Sequence, residues 1–222
     1  MRTDDAQSDA RSAIFASIRE NLSASAQIDA LEHGHPGTRA MSLEVTDGGT
    51  VDVLDAFRES LEMVGARCEV VENENEAASR LVDVVERFSA TRVAISDSEL
   101  VHRVVEAARI EAIKNASREV LFSSEIGITS AQWAIAETGT LVLESGSERH
   151  RLVSLVPPVH VCVLMARSIR RSMTEILEMA DTNANRTITF ITGASRTSDI
   201  ELTLAIGVHG PGELHVIVIK DQ

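Results

Sequence analysis

Residues 193–215 read GASRTSDIELTLAIGVHGPGELH, and they crowd glycine, hydroxyl, guanidinium, carboxylate and imidazole groups into a segment that otherwise joins two apolar runs. Such a set suits a small organic acid. A carboxylate is met by a bidentate guanidinium or by backbone N–H groups at a helix start, and a neighbouring hydroxyl or ketone by an acid–base group titrating near neutrality. Arg196 and His209 are the matching side chains. Ser195 and Thr197 add hydroxyl donors, and Gly210 allows a tight turn beside His209. Thr197 or Ser198 is read as the cap of a short helix over 199–206 whose N-terminus faces the ligand. Each residue also has a structural reading: Arg196 as a clamp on Asp199 or Glu201, His209 as a brace for its own turn, Asp199 as an orienting or capping carboxylate.

A second group lies upstream in AQWAIAETGTLVLES, residues 131–145. Glu137 interrupts a strand pattern, so it projects into a cleft or faces solvent. Thr138, Gly139 and Thr140 either cradle an anion or simply turn the chain between two strands. Glu137 and His209 are thus the two catalytic candidates, without an assigned reaction. No metal site is expected. His33 and His35 stand two apart on a segment with no further ligands, and His160 and His215 sit in apolar strands, where a hydrogen-bonded core or edge histidine is the simpler reading.

These groups need elements to position them. Ile14, Phe15, Ile18 and Leu22 recur at helical spacing, which predicts an amphipathic helix within residues 4–26, followed by an irregular linker to residue 48. From 49 to 222 the pattern becomes one α/β domain. Helices are predicted over 51–65, 75–88, 98–114 and 169–180, and strands over 67–72, 92–96, 119–122, 159–165, 187–192 and 214–219. Ser96 or Asp97 is expected to cap the helix at 98. Alternation of this kind implies an open, mostly parallel, doubly wound sheet, and the two short runs flanking Glu137 to Gly139 imply antiparallel additions. Ligands in such sheets sit at the carboxyl ends of strands, where residues 193–215 are expected to lie.

Composition removes several classes of function. The net charge is −13, and residues 1–89 alone carry eighteen acids against eight bases, which leaves no basic surface for nucleic acid. No apolar run approaches the ~20 residues of a membrane-spanning helix, and the polar N-terminus lacks a secretory signal, so the chain reads as cytoplasmic. Cys68 and Cys162 are the only cysteines, and both read as buried apolar residues. An iron–sulfur cluster usually takes about four thiolates, so none is expected in this chain.

Three blocks, GITSAQWAIAETGTLVLES (127–145), RLVSLVPPVHVCVL (151–164) and TGASRTSDIELTLAIGVHGPGELHVIVI (192–219), resemble the LUD-domain family and, within it, the lactate utilization protein C branch. The resemblance implies a sheet like that of sugar-phosphate isomerases and CoA transferases. It also implies a role as one part of a three-part system oxidising L-lactate to pyruvate, whose other two parts carry the iron–sulfur clusters. On that basis the chain is expected to bind a small organic anion without a cofactor of its own, or to serve as an assembly or regulatory subunit. A homo-oligomer is compatible with either role.

Overall fold

The computed structural model describes residues 52–145, 151–179, 187–198, 204–206 and 210–220, together with Ala16, which is helical and exposed. The chain divides into two compact units, Met1–Ser42 and Leu43–Gln222, and every described residue but Ala16 belongs to the second. The predicted N-terminal helix and linker otherwise fall outside the described residues.

Two seven-residue apolar strands, β7 (Val159–Met165) and β12 (Glu213–Ile219), pair in parallel along their whole length and form the middle of a six-stranded sheet. The others are β1 (Arg67–Val71), β2 (Val93–Ile95), β3 (Ala112–Lys114) and β4 (Ile126–Ser130), in the order β1-β12-β7-β4-β2-β3, all parallel. On one face Val161, Val163, Ile217 and Ile219 pack against Leu81 and Val84 of α2 (Glu74–Arg87) and Val101 and Val104 of α3 (Glu99–Ala108). On the other face Cys162, Leu164, Val216 and Val218 meet Phe57 and Leu61 of α1 (Val53–Met63) and a second sheet. That second sheet has the order β8-β5-β6-β9, from β5 (Trp133–Ile135), β6 (Thr140–Glu144), β8 (Ile169–Arg170) and β9 (Ile188–Thr192). β6 runs antiparallel to both β5 and β9, so the two runs flanking Glu137 to Gly139 are antiparallel additions joined as a hairpin.

The structure departs from the sequence reading at several short elements. The helix expected over 98–114 stops at Ala108, because Arg109 turns left-handed at φ 56°, and β3 follows. Its N-cap is Ser98 rather than Ser96 or Asp97, with no side-chain capping bond. Residues expected to form a strand at 119–122 are helix α4 (Arg118–Ser123), where the Ser117 hydroxyl accepts from Val120 N–H. β4 was not anticipated. The stretch predicted as a helix over 169–180 divides into β8 and α5 (Met173–Met179). The short helix expected over 199–206 is replaced at its end by β11 (Leu204–Ile206), paired antiparallel with β10 (Arg196–Ser198). In each case a run of few residues carried too little periodicity to outweigh its tertiary partners.

The second sheet is held to α1 by close backbone approach. Gly139 has φ +62°, and a Cβ there would lie 2.5 Å from Leu61 N. Gly193 has φ +78°, and its Cβ would lie 2.5 Å from the Val64 carbonyl oxygen. Between them the Thr140 hydroxyl, buried, bonds Thr138 and Thr192 at 2.7 Å each. Gly139→Ala should therefore cost about 2–5 kcal/mol from backbone strain and overpacking together. Thermal denaturation should show Tm lower by roughly 5–15 °C, and an unchanged Tm would contradict this packing.

Candidate functional site

Residues 151–154 form a 3-10 turn that lies directly on β4, since Gly127 has no side chain: a Cβ there would meet the Val153 carbonyl oxygen at 2.0 Å. The turn is closed by the Ser154 hydroxyl donating to the Arg151 carbonyl at 2.7 Å. Pro157 and Pro158 then hold the chain extended into β7, and the Pro158 carbonyl accepts from the backbone N–H groups of Gly212 (2.9 Å) and Glu213 (3.3 Å). A further backbone bond, Ser195 N–H to the Pro211 carbonyl at 2.8 Å, ties the segment after β9 to the one before β12.

These connections border an open cavity of about 190 Å³. Ser154 and Leu155 bound it on the side of the 3-10 turn, Phe190 and Ile191 come from β9, and Gly193, Ser195, Gly210 and Pro211 come from the joined loops. His160 of β7 and Leu214 of β12 complete the lining. The cavity lies at the amino ends of β7 and β12, not at the carboxyl ends where residues 193–215 were expected. The reason is that β9 belongs to the second sheet, so the chain leaving it returns to the start of β12.

His160 is the titratable side chain of the cavity lining. It is 1% exposed and pairs in register with Gly127. Its Nε2 lies 2.8 Å from Thr129 Oγ1, two residues further along β4. Nδ1 is closed to solvent and has no hydrogen-bond partner among the described residues. An unpaired buried polar atom costs on the order of 1–3 kcal/mol, so the strand carries a penalty that an apolar ring would avoid. Burial pushes the imidazole pKa down to about 3, which keeps the ring neutral at ordinary pH. The expectation of a satisfied core histidine thus holds for one ring nitrogen only.

His215 differs. It points to the opposite face, edge-on to Phe88 with ring centroids 5.6 Å apart, and burial lowers its pKa to about 4. It is a core residue whose Nε2, 3.7 Å from Glu213, is likewise buried without a hydrogen-bond partner among the described residues.

Of the residues selected from sequence, Ser195 and Gly210 meet in the cavity. Arg196 does not line it: the exposed guanidinium donates from Nη2 to the Val64 carbonyl at 3.2 Å, capping the end of α1. This is a structural clamp with a different acceptor from those considered. Glu137 accepts from Met173 N–H at 3.0 Å at the start of α5, while its own N–H donates to the Arg171 carbonyl at 3.1 Å. Thr138, Gly139 and Thr140 form the turn packed on α1 and do not line the cavity. The backbone of Thr197 lies in β10 opposite Ala205. Asp199 and His209 fall outside the described residues. His160, Ser154 and the role of Gly127 were missed from sequence, where the only signal was a histidine in an otherwise apolar strand.

Another cavity, about 370 Å³, does lie at the carboxyl ends of β1, β12 and β7. Charges at its rim are neutralised by pairing, Lys220 with Glu72 at 2.6 Å and Glu74 with Arg103 at 2.8 Å. The Arg103 hydrogen bond holds the Glu74 carboxyl below its usual range. Among the described residues no three His, Cys, Asp or Glu side chains gather as a metal site, and no helix is long and apolar enough to cross a membrane. Neither Cys68 nor Cys162 is in a disulfide, and burial raises the Cys68 thiol to about 12, far from a reactive thiolate.

A parallel α/β sheet carrying a mixed sheet on one face, with a small cavity at their junction, defines the architecture. The LUD domain model matches residues 54–219, and the chain belongs to that family. An uncharacterized protein of Neisseria meningitidis serogroup B is 29% identical over 211 residues, covering 93% of this chain and 84% of the relative. The lactate utilization protein C of Deinococcus radiodurans is 40% identical over 95 residues, 41% of this chain and 45% of the relative. That of Bacillus subtilis is 34% identical over 105 residues, 45% of this chain and 44% of the relative. The chain thus matches less than half the length of these two lactate utilization relatives. In structure, a DUF162 family protein from Deinococcus radiodurans superposes with a TM-score of 0.60 at 24% identity, over 75% of this chain and 96% of that one. That likeness shows the fold.

The two buried histidines set a pH dependence. With folded pKa values of about 3 for His160 and about 4 for His215, the unfolded chain binds protons below about pH 6.5 that the folded chain does not. Stability is therefore full above pH 6.5 and falls as pH drops, by roughly 1.4 kcal/mol per pH unit for each ring. Urea denaturation between pH 5 and 6.5, above the range of the carboxylates, should show this slope. His160→Gln should remove about half of it.

Proposed function

We propose that this chain is the component without a cluster in a system that oxidises L-lactate to pyruvate beside iron–sulfur partner proteins, and that it holds a small organic anion in the cavity at the amino ends of β7 and β12. The supporting observation is that cavity, in a chain with relatives named lactate utilization protein C. At about 190 Å³ it suits a molecule of a few heavy atoms and is smaller than the pockets that hold drug-sized ligands, which run from roughly 300 Å³. Ser195 and Gly210, selected for anion recognition, line it, and with two cysteines in the whole chain the electron carriers fall to the partners. The composition suits a cytoplasmic protein that does not bind nucleic acid.

A second reading, an assembly or regulatory subunit without a reaction of its own, is favoured by one feature. Leu152, Leu155 and Phe190 are 41%, 37% and 40% exposed, and the last two line the cavity, so its rim carries apolar surface that a partner protein could cover.

The two readings separate in the reconstituted system. Gly210→Leu fills the cavity, since even a Cβ there would come within 3.3 Å of the Ser195 Cβ. Lactate-dependent reduction of an electron acceptor should fall at least about tenfold with the complex still assembled. Normal oxidation by a folded Gly210→Leu complex would sink the cavity's role. Loss of assembly in Phe190→Asp with the Gly210→Leu complex fully active would favour the second reading.

A further inference from the structure

We infer that the Thr129–His160 pair binds the C2 oxygen of a small 2-oxygenated organic acid, and accepts it either as a hydroxyl or as a ketone by exchanging imidazole tautomers. This rests on the lactate-oxidising reading above and names the ligand class of its cavity. The ring lines the cavity, Nε2 is committed to Thr129 Oγ1 at 2.8 Å, and Nδ1 is left without a partner among the described residues. The side chains of Leu155, Phe190, Ile191 and Leu214 in the lining are apolar and can offer Nδ1 no hydrogen bond. A ligand oxygen supplies what the fold does not.

The partner on the other nitrogen decides what that oxygen can be. A threonine hydroxyl both donates and accepts. When Nε2–H donates to Thr129 Oγ1, Nδ1 carries a lone pair and accepts from a ligand hydroxyl. When the Thr129 hydroxyl donates to Nε2, Nδ1 carries the proton and donates to a ketone oxygen. Both arrangements are neutral and give each ring nitrogen a partner, so an alcohol and its ketone are held by the same two side chains. A carboxylate at position 129 could only accept and would fix one direction. The ring must remain uncharged for the exchange, and its burial ensures this. Nδ1 has no solvent exposure, so a ligand that meets it displaces the groups that cover it. Half-buried Ser195 then offers a further polar contact. The pair binds; no electron or net proton transfer is assigned to it, and oxidation itself stays with the partner proteins.

The test uses the purified full chain, labelled with ¹⁵N-histidine, titrated with L-lactate, pyruvate and propionate, the last lacking the C2 oxygen. The His160 resonances, assigned by their loss in His160→Gln, should report opposite tautomers in the lactate and pyruvate complexes. The two acids should bind within about threefold of each other and propionate about tenfold more weakly, the loss of one hydrogen bond. Thr129→Val, nearly isosteric, should weaken lactate and pyruvate by about tenfold while leaving propionate unchanged. Equal binding of propionate and lactate, the same tautomer in both complexes, or no response of His160 to either acid would overturn the inference. If His160 is silent while the reconstituted system still needs this chain to oxidise lactate, the ligand assignment fails and the pathway reading stands. If the tautomers switch but the system oxidises lactate equally well without the chain, the pathway reading fails and the site remains.

Discussion

The parallel pairing of β12 with β7 is the constraint on which the rest depends. Seven consecutive residues of each strand match, from Glu213 opposite Val159 to Ile219 opposite Met165, and both strands are buried almost throughout. Because β12 comes from the end of the described chain yet occupies the interior of the sheet, residues 193–212 must cross from the second sheet to the start of a central strand. That crossing brings β9, the 3-10 turn and the entry to β7 to one place. The cavity is a consequence of topology before it is a consequence of side chains.

Within that frame the polar groups divide into those used up by the fold and those left over. Glu137 binds the start of α5, Arg196 caps α1, and the three threonines 138, 140 and 192 satisfy one another. The buried Thr140 hydroxyl needs a partner, and it finds two among neighbours brought together by the glycine contacts on α1. His160 is different, since it lines the cavity and Thr129 answers only one of its nitrogens. The same burial that leaves Nδ1 unpaired also keeps the imidazole neutral, so its chemistry is that of a hydrogen-bonding ring and not of a cation. An acid bound beside it would draw its charge stabilisation from polar rim groups such as Ser195 rather than from this ring.

Sequence alone determined the long and strongly patterned parts. The helices α1 and α2, the strands β1, β7, β9 and β12, and the hairpin at residues 131–145 all follow from periodicity, because each is long enough, or bounded clearly enough, for its apolar residues to mark one face. The same patterning gave the α/β class, and the three blocks from Gly127 onward gave the family. Ser195 and Gly210 stand out as candidates through the density of small and polar groups around them, and both line the cavity. What only the tertiary structure decided was pairing across the chain. β3, α4 and β4 are short, and their states depend on neighbours that no local pattern names. That β9 joins the second sheet moved the site from the carboxyl to the amino ends of the strands, and that α1 lies under the Thr-Gly-Thr turn made Gly139 a packing residue. His160 became notable only when Thr129, thirty-one positions away, was placed against one nitrogen and nothing against the other. A sequence shows which residues can form hydrogen bonds; which of them remain unsatisfied is a property of the folded neighbourhood.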